Sequence, residues 1–245
     1  MNHLAFELST EACSVALWAN GEVIERHEIA PRRHAELALP WAEALLAEAG
    51  LAKSQLDAIA VGRGPGAFTG VRLGISISQG IALALDLPAL PVSTLAALAM
   101  RSLSQPAHAG DGQRVLAAID ARMQEVYVAS YVFEADAEGM FLPRSLDVER
   151  VQPPDAVALP DSVDGWLGVG TGFAAQGGAL VERLGARLRA VDAEALPRAG
   201  DVARLAHGAW CRGEAIAPEL LEPAYLRNNV ALTIAEQQAL RASRG

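Results

Sequence analysis

Cysteine is scarce in this sequence of 245 residues, which contains only Cys13 and Cys211. There is no CxxC pair, so we expect no disulfide scaffold and no Cys/His cluster with the spacing of metal ligands. The histidines are equally dispersed, since no two of the five lie three to five residues apart on a predicted helix. That spacing argues against a zinc or iron site on a helix. Because so few cysteines suit a reducing compartment, we expect a cytoplasmic location.

Positive charge is also in short supply, with 20 Lys and Arg residues against 29 Asp and Glu residues and a net charge of -9. Nucleic-acid backbones are bound mainly by clusters of Lys and Arg. The densest basic stretches are residues 26–33 and the tail around Arg241 and Arg244, and both are short. We therefore expect no strong nucleic-acid binding by this chain alone, although a partner could supply the charge.

Long uninterrupted apolar runs are missing as well. The most apolar stretch, residues 75–90, is broken by Ser76, Ser78, Gln79, Gly80, Asp86 and Pro88. This stretch is too short and too polar for a bilayer span, so we expect a core helix and no membrane association. Residues 1–3 lead directly into an apolar strand without a charged segment, which is not the pattern of a signal peptide.

The sequence predicts two successive units, each with antiparallel strands followed by alternating helices and strands. Residues 3–30 predict three antiparallel strands with a hairpin turn at Asn20–Gly21. Helices and strands then alternate, and a second strand-rich unit begins near Val115. We predict that helices at 173–185 and 199–212 complete this second unit.

A polar segment rich in small residues, 105–113, separates the two units. We therefore predict two lobes, an N-terminal lobe at 1–106 and a C-terminal lobe at 107–245. The C-terminal tail could pack back on the first lobe.

The sharpest local feature is the glycine-rich loop at 62–74, which follows a strand and opens a helix. Such a loop can bind an anion at the positive end of the helix dipole, but it also serves as a tight structural turn. It lacks the Gly-Lys-Ser/Thr of a Walker loop and the spacing of a dinucleotide fingerprint. Gly70, Gly74 and Ser78 are one helical turn apart, so we predict a close helix–helix contact, within the chain or between chains.

The helix predicted at 34–50 carries two adjacent apolar stripes. Leu37, Trp41 and Leu45 recur at every fourth position, and a second stripe runs beside them. Two stripes leave apolar surface that another chain could cover. Pro40 predicts that the regular helix begins there. We predict a docking face formed with the glycine-loop helix, in which Gly74→Leu weakens association and leaves the monomer folded.

Polar residues at the end of the first strand, Glu7, Ser9 and Thr10, could hold phosphate or metal-bound water, together with Gly168 and Gly170 in the second lobe. Ordinary turn chemistry, in which the hydroxyls bond local backbone, is the alternative.

Four segments resemble the TsaB (YeaZ) family. The segment GRGPGAFTGVRLGISISQGIALAL is similar to the GPGSFTGLR signature of that family, and LAFELSTEACSVALW, AAIDARMQEVYVASY and LEPAYLRNN are similar to other family segments. The resemblance covers essentially the whole chain. It implies an α/β fold of the actin/Hsp70/sugar-kinase type with two lobes, each a mixed sheet flanked by helices.

The resemblance also implies a function. Family members support the formation of threonylcarbamoyladenosine at position 37 of tRNAs that read codons beginning with A. They bind the catalytic subunit TsaD, of which they look like degenerate relatives, and a TsaE-type ATPase acts in the same pathway. We accordingly expect contact with tRNA only through the complex, and a homodimer when the partner is absent.

The catalytic relatives carry a metal-binding HxxxH motif after the strand that follows the glycine-loop helix. Thr94 and Leu98 stand at the matching positions here. Leucine cannot ligate a metal and a lone threonine is a poor ligand, so we expect no metal and no catalytic residue. Glu7 stands where many family members have Asp, which leaves weak ATP or ADP binding open. We expect no tightly bound cofactor.

Two other functions remain open from the sequence. The first is an active phosphotransferase or ATPase of the same fold. The second is a peptidase, an activity once proposed for this superfamily, but no GxSxG motif or metal motif supports it.

Overall fold

The computed structural model describes residues 1–104 and 110–227, which form two mixed β-sheets with helices packed against both. The strands are β1 (His3–Glu7), β2 (Ala12–Ala19), β3 (Glu22–Ile29), β4 (Ala58–Gly62), β5 (Ala89–Val92), β6 (Arg114–Arg122), β7 (Glu125–Ala135), β8 (Phe141–Ser145), β9 (Arg150–Gln152), β10 (Trp166–Val169) and β11 (Leu188–Asp192). The α-helices are α1 (His34–Glu48), α2 (Phe68–Leu85), α3 (Thr94–Met100), α4 (Ala179–Leu184) and α5 (Ala199–Cys211).

The first sheet has the strand order β3-β2-β1-β4-β5. Its first three strands are antiparallel, and β4 and β5 then add in parallel beside β1. The predicted turn at Asn20–Gly21 joins β2 to β3, and both residues have the positive φ that such a turn needs. The central strands are buried on both faces, which accounts for their nearly continuous apolar character.

The second sheet repeats this topology. Its order is β11-β10-β6-β7-β8, in which β6, β7 and β8 are antiparallel and β10 and β11 add in parallel beside β6. Strand β9 pairs with β7 off this path. The repeat confirms the predicted two-lobed α/β architecture of mixed sheets flanked by helices.

The helices divide the molecule into layers. α1 and α2 cover one face of the first sheet, and α5 covers the other. α3 packs on the second sheet and also contacts α5, so these two helices lie between the sheets. The prediction that the helix at 199–212 completes the second lobe was wrong, because its buried alanines, such as Ala203 and Ala206, pack on the first sheet.

The segment after α5 returns to the first sheet. Ile216 pairs with Ala89 of the edge strand, and the Ala224 amide donates to the carbonyl oxygen of Arg63 at 2.8 Å. The division at 106/107 stays a prediction, because residues 105–109 lie outside the described residues. The basic tail at Arg241 and Arg244 lies outside them as well.

Pro40 lies inside α1 and does not begin it, contrary to the sequence-based prediction. The helix begins at His34, whose imidazole Nε2 lies 3.0 Å from the Thr10 carbonyl oxygen and 3.1 Å from that of Ala12. This contact fixes the first turn of the helix on the β1–β2 connection. Pro40 is exposed, so water can satisfy the carbonyl that its missing N–H leaves unpaired.

The small residues of α2 face the interior. A Cβ at Gly70 would lie 2.0 Å from the carbonyl oxygen of Leu8, and one at Gly74 would lie 3.4 Å from a methyl group of Val61. Ser78 is buried on the same side. The close contact predicted for these residues is therefore made between a helix and the end of a strand, not between two helices. A larger side chain at position 74 would press on Val61 of the core, and the predicted effect of Gly74→Leu on association and folding stays a prediction.

We predict opposite effects of Gly70→Ala and Gly80→Ala on stability. The first methyl group would collide with a backbone oxygen, which should cost about 3 kcal/mol of unfolding free energy. The second would enter open space on the same helix, where Ala is favoured over Gly by about 0.5–1 kcal/mol. Urea unfolding of both variants tests this, and equal effects would contradict the packing of α2 described above.

Candidate functional site

The candidate functional site lies where the neighbouring parallel strands β1 and β4 end. Open α/β sheets place ligands at the carboxyl ends of such parallel strands. Here the end of β1 is occupied by the carboxylate of Glu7, which is 1% exposed. Its Oε1 accepts a hydrogen bond from the Ser9 amide at 2.8 Å, and its Oε2 accepts one from the Thr94 hydroxyl at 3.1 Å.

Two glycines of the loop after β4 make room for this cluster. A Cβ at Gly62 would lie 2.0 Å from Glu7 Oε2, so no larger residue fits beside the carboxylate. The amide of Gly64 donates to Thr94 Oγ1 at 3.2 Å, and its carbonyl accepts from the Thr94 amide at 3.0 Å. The loop, the strand end and the first residue of α3 are thus joined through one buried carboxylate and one hydroxyl.

Burial raises the pKa of Glu7 above its ordinary value of 4.5, and the hydrogen bonds from Ser9 and Thr94 oppose that shift. The neighbouring residues make turn contacts. Ser9 accepts a hydrogen bond from the Ala67 amide through its carbonyl oxygen at 2.6 Å, and Thr10 Oγ1 accepts one from the Ala12 amide at 3.3 Å. The Thr10 contact matches the alternative of ordinary turn chemistry, whereas the Ser9 hydroxyl is buried and has no hydrogen-bond partner among the described residues.

Gly168 and Gly170 serve packing in this structure. A Cβ at Gly168 would lie 2.5 Å from the ring of Phe173. Gly170 has a φ of 107° and lies where a Cβ would meet a methyl group of Leu98 at 2.5 Å and the carbonyl oxygen of Ala118 at 2.3 Å. A side chain larger than hydrogen therefore has no room at either position.

A cavity of 790 Å³ lies elsewhere, beside the turn between β6 and β7. Its lining comes from that turn, from β9 and the residues after it, from the start of α4 and the residues before it, and from the segment that follows α5. It includes Met123, Gln124, Val151, Pro154, Gln176 and Arg227. None of the predicted nucleotide residues lines it.

A second cluster, missed by the sequence analysis, joins the glycine loop to the segment before β9. Arg63 pairs with Glu149 at 3.2 Å, and the Ser93 hydroxyl also donates to Glu149. The same hydroxyl accepts from the Ala96 amide at 3.1 Å and so caps α3. Residue 149 lies far along the chain in a loop without a motif, so no local pattern indicated this contact.

Helix α2 is apolar but only partly buried. The helix has a mean hydropathy of 1.3 over 18 residues, of which 28% are buried. Length and composition alone would allow this helix to cross a membrane, but the core helices of soluble proteins pass the same test. Its inner face packs on the first sheet as a core helix does, while Phe68 and Leu83 are each 60% exposed.

The residues predicted to dock a partner divide into two groups. Leu37 and Trp41 lie half-buried at the rim of the first core cluster, where they border open surface. Leu45 is buried in that cluster, and Gly70, Gly74 and Ser78 face the sheet. These four residues pack in the interior beneath the exposed surface and are not part of it. The exposed side chains of the surface, among them Leu39, Phe68 and Leu83, were not in the predicted set.

Arg72 contacts two aromatic residues near the N-terminal end of α2. Its guanidinium carbon lies 3.6 Å from the centroid of the Phe68 ring, and its Nε and Nη2 donate to the Tyr225 hydroxyl at 3.0 and 2.8 Å. The contact holds the returning C-terminal segment against α2.

Comparisons with known proteins agree with this geometry. A family model described as TsaD, tRNA N6-adenosine threonylcarbamoyltransferase, matches residues 24–148. The tRNA threonylcarbamoyladenosine biosynthesis protein TsaB of Escherichia coli strain K12 is 43% identical over 234 residues, which are 94% of this chain and 96% of that protein. TsaB of Haemophilus influenzae is 40% identical over 93% of this chain and 94% of that protein.

The chain belongs to the TsaB family. Among solved structures, YeaZ from Pseudomonas aeruginosa superposes with a TM-score of 0.82 at 46% identity, covering 92% of this chain and 99% of that one. A second Pseudomonas aeruginosa structure, described as an uncharacterized protein with similarity to peptidase YEAZ, matches with the same values. The predicted family and fold are therefore confirmed.

The residues at the two positions that the resemblance aligns with metal-binding histidines, Thr94 and Leu98, do not fit a metal ion. The Thr94 hydroxyl is fully buried and already bonded to Gly64 and Glu7. Leu98 is fully buried and offers only hydrocarbon, packed against Gly170. A cation would need anionic or imidazole ligands at positions where the chain has a used hydroxyl and an alkyl group.

We predict that Glu7→Gln removes the free-energy cost of ionising a buried carboxyl group, a cost that grows as the pH rises. The folded pKa lies above the unfolded value, so the folded state holds more protons and stability falls as pH rises from about 4.5 through the raised pKa. The stability of Glu7→Gln relative to wild type should therefore increase from pH 5 to pH 8, as measured by urea unfolding. Exposed Glu182→Gln is the control, and parallel curves for all three proteins would contradict the prediction.

Proposed function

We propose that this chain is a non-catalytic subunit required for threonylcarbamoyladenosine formation at position 37 of tRNAs that read A-starting codons. It acts by binding a TsaD-type catalytic subunit. The observation that carries the proposal is the outer face of α2, where Phe68 and Leu83 are each 60% exposed and other apolar side chains of the helix are only partly buried. Exposed apolar side chains grouped on one helix are typical of a face that another chain covers.

The closed candidate functional site supports the same proposal. Glu7 and Thr94 use their polar atoms on each other and on local backbone, and Leu98 fills the remaining space near Gly170. A catalytic group must reach a substrate, and these groups are buried. We propose that the chain contributes no catalytic residue and that the partner supplies the chemistry.

The proposed complex also accounts for the charge of the chain. A net charge of -9 disfavours direct binding of tRNA, so we propose that tRNA contacts this subunit only through the complex. A TsaE-type ATPase completes the proposed assembly, which we place in the cytoplasm. Without the catalytic partner, we propose that two copies of the chain cover the same apolar face as a homodimer.

A phosphotransferase or ATPase is the second candidate. It would need Glu7, Ser9 and Thr10 to face a nucleotide together with Gly168 and Gly170. The packing around those residues speaks against tight binding, so we propose at most weak affinity for ATP or ADP.

A peptidase is favoured by one observation, since Cys211, His207 and Glu138 lie together in the described part of the chain. However, the cysteine sulfur and the glutamate oxygen both approach the same imidazole nitrogen, Nε2, at 3.8 and 3.0 Å. A nucleophile–histidine–acid relay needs the nucleophile and the acid on opposite nitrogens. This arrangement therefore does not support peptidase chemistry.

Reconstitution tests the proposal. Purified TsaD-type and TsaE-type subunits, threonylcarbamoyl-adenylate and tRNA should yield modified adenosine when this chain is added, and far less without it. The chain alone should give no product. Full modification without the chain, or turnover by the isolated chain, would contradict the proposal.

We predict that Leu83→Asp on the outer face of α2 weakens binding to the TsaD-type subunit at least about tenfold, because it places a charge in a desolvated apolar contact. Because Leu83 is exposed, the substitution should lower the melting temperature by only a few degrees, through the unfavourable charge in the last turn of the helix. The matched control is Val148→Asp, which changes a side chain that is 71% exposed on the second lobe. Equal binding of both variants in calorimetry would exclude this face as the docking surface.

A further inference from the structure

Three side chains that can ligate a metal converge between α5 and the turn that joins β7 to β8. The carboxylate of Glu138, the imidazole of His207 and the thiol of Cys211 have their donor atoms within 4.8 Å of one another. His207 Nε2 lies 3.0 Å from Glu138 Oε2 and 3.8 Å from Cys211 Sγ. The three donors thus come from two elements, one associated with each sheet.

No metal cluster was expected here, since the sequence has no CxxC pair and no pair of histidines at helical spacing. Cys211 nevertheless follows His207 by four residues on one helix. Side chains four residues apart lie on the same face of a helix. The third donor, Glu138, lies 69 residues before His207 and is brought there only by the fold.

The distances suit a zinc ion. Zinc bonds of about 2.0–2.3 Å to nitrogen, oxygen and sulfur place tetrahedral ligands about 3.3–3.8 Å apart. The nitrogen–oxygen and nitrogen–sulfur distances bracket that range, and the remaining sulfur–oxygen distance of at most 4.8 Å closes with a small rotation of exposed side chains. Glu138 and Cys211 are both exposed, so this movement meets little resistance.

The local surroundings orient the imidazole. The His207 ring stacks on Trp18 with centroids 4.5 Å apart and an interplanar angle of 17°, which fixes the direction of Nε2. Its Nδ1 is buried and has no hydrogen-bond partner among the described residues. The neighbouring cation, Arg212, is already paired with Glu214 at 2.6 and 2.9 Å, which reduces its repulsion of a metal ion.

We propose that Glu138, His207 and Cys211 form a zinc-binding site, with water at the fourth position. On binding, the thiol releases its proton to solvent, and the imidazole carries its one proton on Nδ1, which leaves Nε2 free to ligate the metal. The carboxylate exchanges its hydrogen bond with His207 for a bond to the metal. The site would tie the β7–β8 turn to α5 and so link the two lobes. His207 Nδ1 has no hydrogen-bond partner among the described residues, so nothing else orients the ring from that side. We therefore expect a lower zinc affinity than that of sites with four protein ligands.

Protection of Cys211 from thiol chemistry provides the test. The other cysteine, Cys13, is fully buried and its pKa is raised to about 11, so a chromogenic disulfide reagent should report Cys211 alone. In the full-length, untagged, reduced chain, stoichiometric zinc should slow this reaction at least about tenfold, and a chelator should restore it. Cobalt should bind in place of zinc and give a thiolate-to-cobalt charge-transfer band.

Variants locate the ion. Glu138→Gln keeps the reactive thiol and should lose the protection, and Cys211→Ser should lose the charge-transfer band. Glu182→Gln, which removes an exposed carboxylate from α4, should behave as wild type. The proposal is overturned if zinc leaves the reactivity of Cys211 unchanged, or if Glu138→Gln is protected as well as wild type. Neither outcome depends on binding to a TsaD-type subunit or on tRNA modification.

Discussion

The close approach of the glycine loop to the end of β1 is the constraint on which the rest of the structure depends. Gly62 and Gly70 have no Cβ, and a Cβ at either would lie 2.0 Å from an oxygen atom of Glu7 or Leu8. Only this approach lets Glu7 accept from Ser9 and Thr94 in a buried position. The loop therefore closes the place where a related fold would hold a ligand, and it seats α2 against the sheet at the same time.

Seating α2 in this way determines which surface remains for a partner. Gly70, Gly74 and Ser78 face the sheet, so the helix turns Phe68, Arg72 and Leu83 outward. The returning C-terminal segment then fastens to the same helix through Tyr225. The same packing of α2 therefore buries the strand ends and leaves apolar side chains exposed. Both features agree with the proposal that this subunit provides a binding surface for a catalytic partner.

The local patterns predicted the two-lobed topology, the Asn20–Gly21 hairpin and the glycine-loop helix, because each rests on contacts between near neighbours. They did not place α5 on the first sheet, since alanine-rich helices fit either lobe by composition. They also assigned Gly70, Gly74 and Leu45 to a partner, because small and apolar residues have the same pattern whether a strand or another chain covers them. The Glu149 and Glu138 contacts escaped prediction because each joins residues distant in sequence. Only the tertiary fold brings them together.

Hydrogen–deuterium exchange tests the central claim most directly, which is that this chain contributes a surface and no chemistry. Adding the TsaD-type subunit should slow exchange along residues 68–85, while adding Mg–ATP to the isolated chain should leave residues 7–10 and 94–98 unchanged. Strong protection of those two segments by Mg–ATP, with none along α2 in the complex, would contradict it.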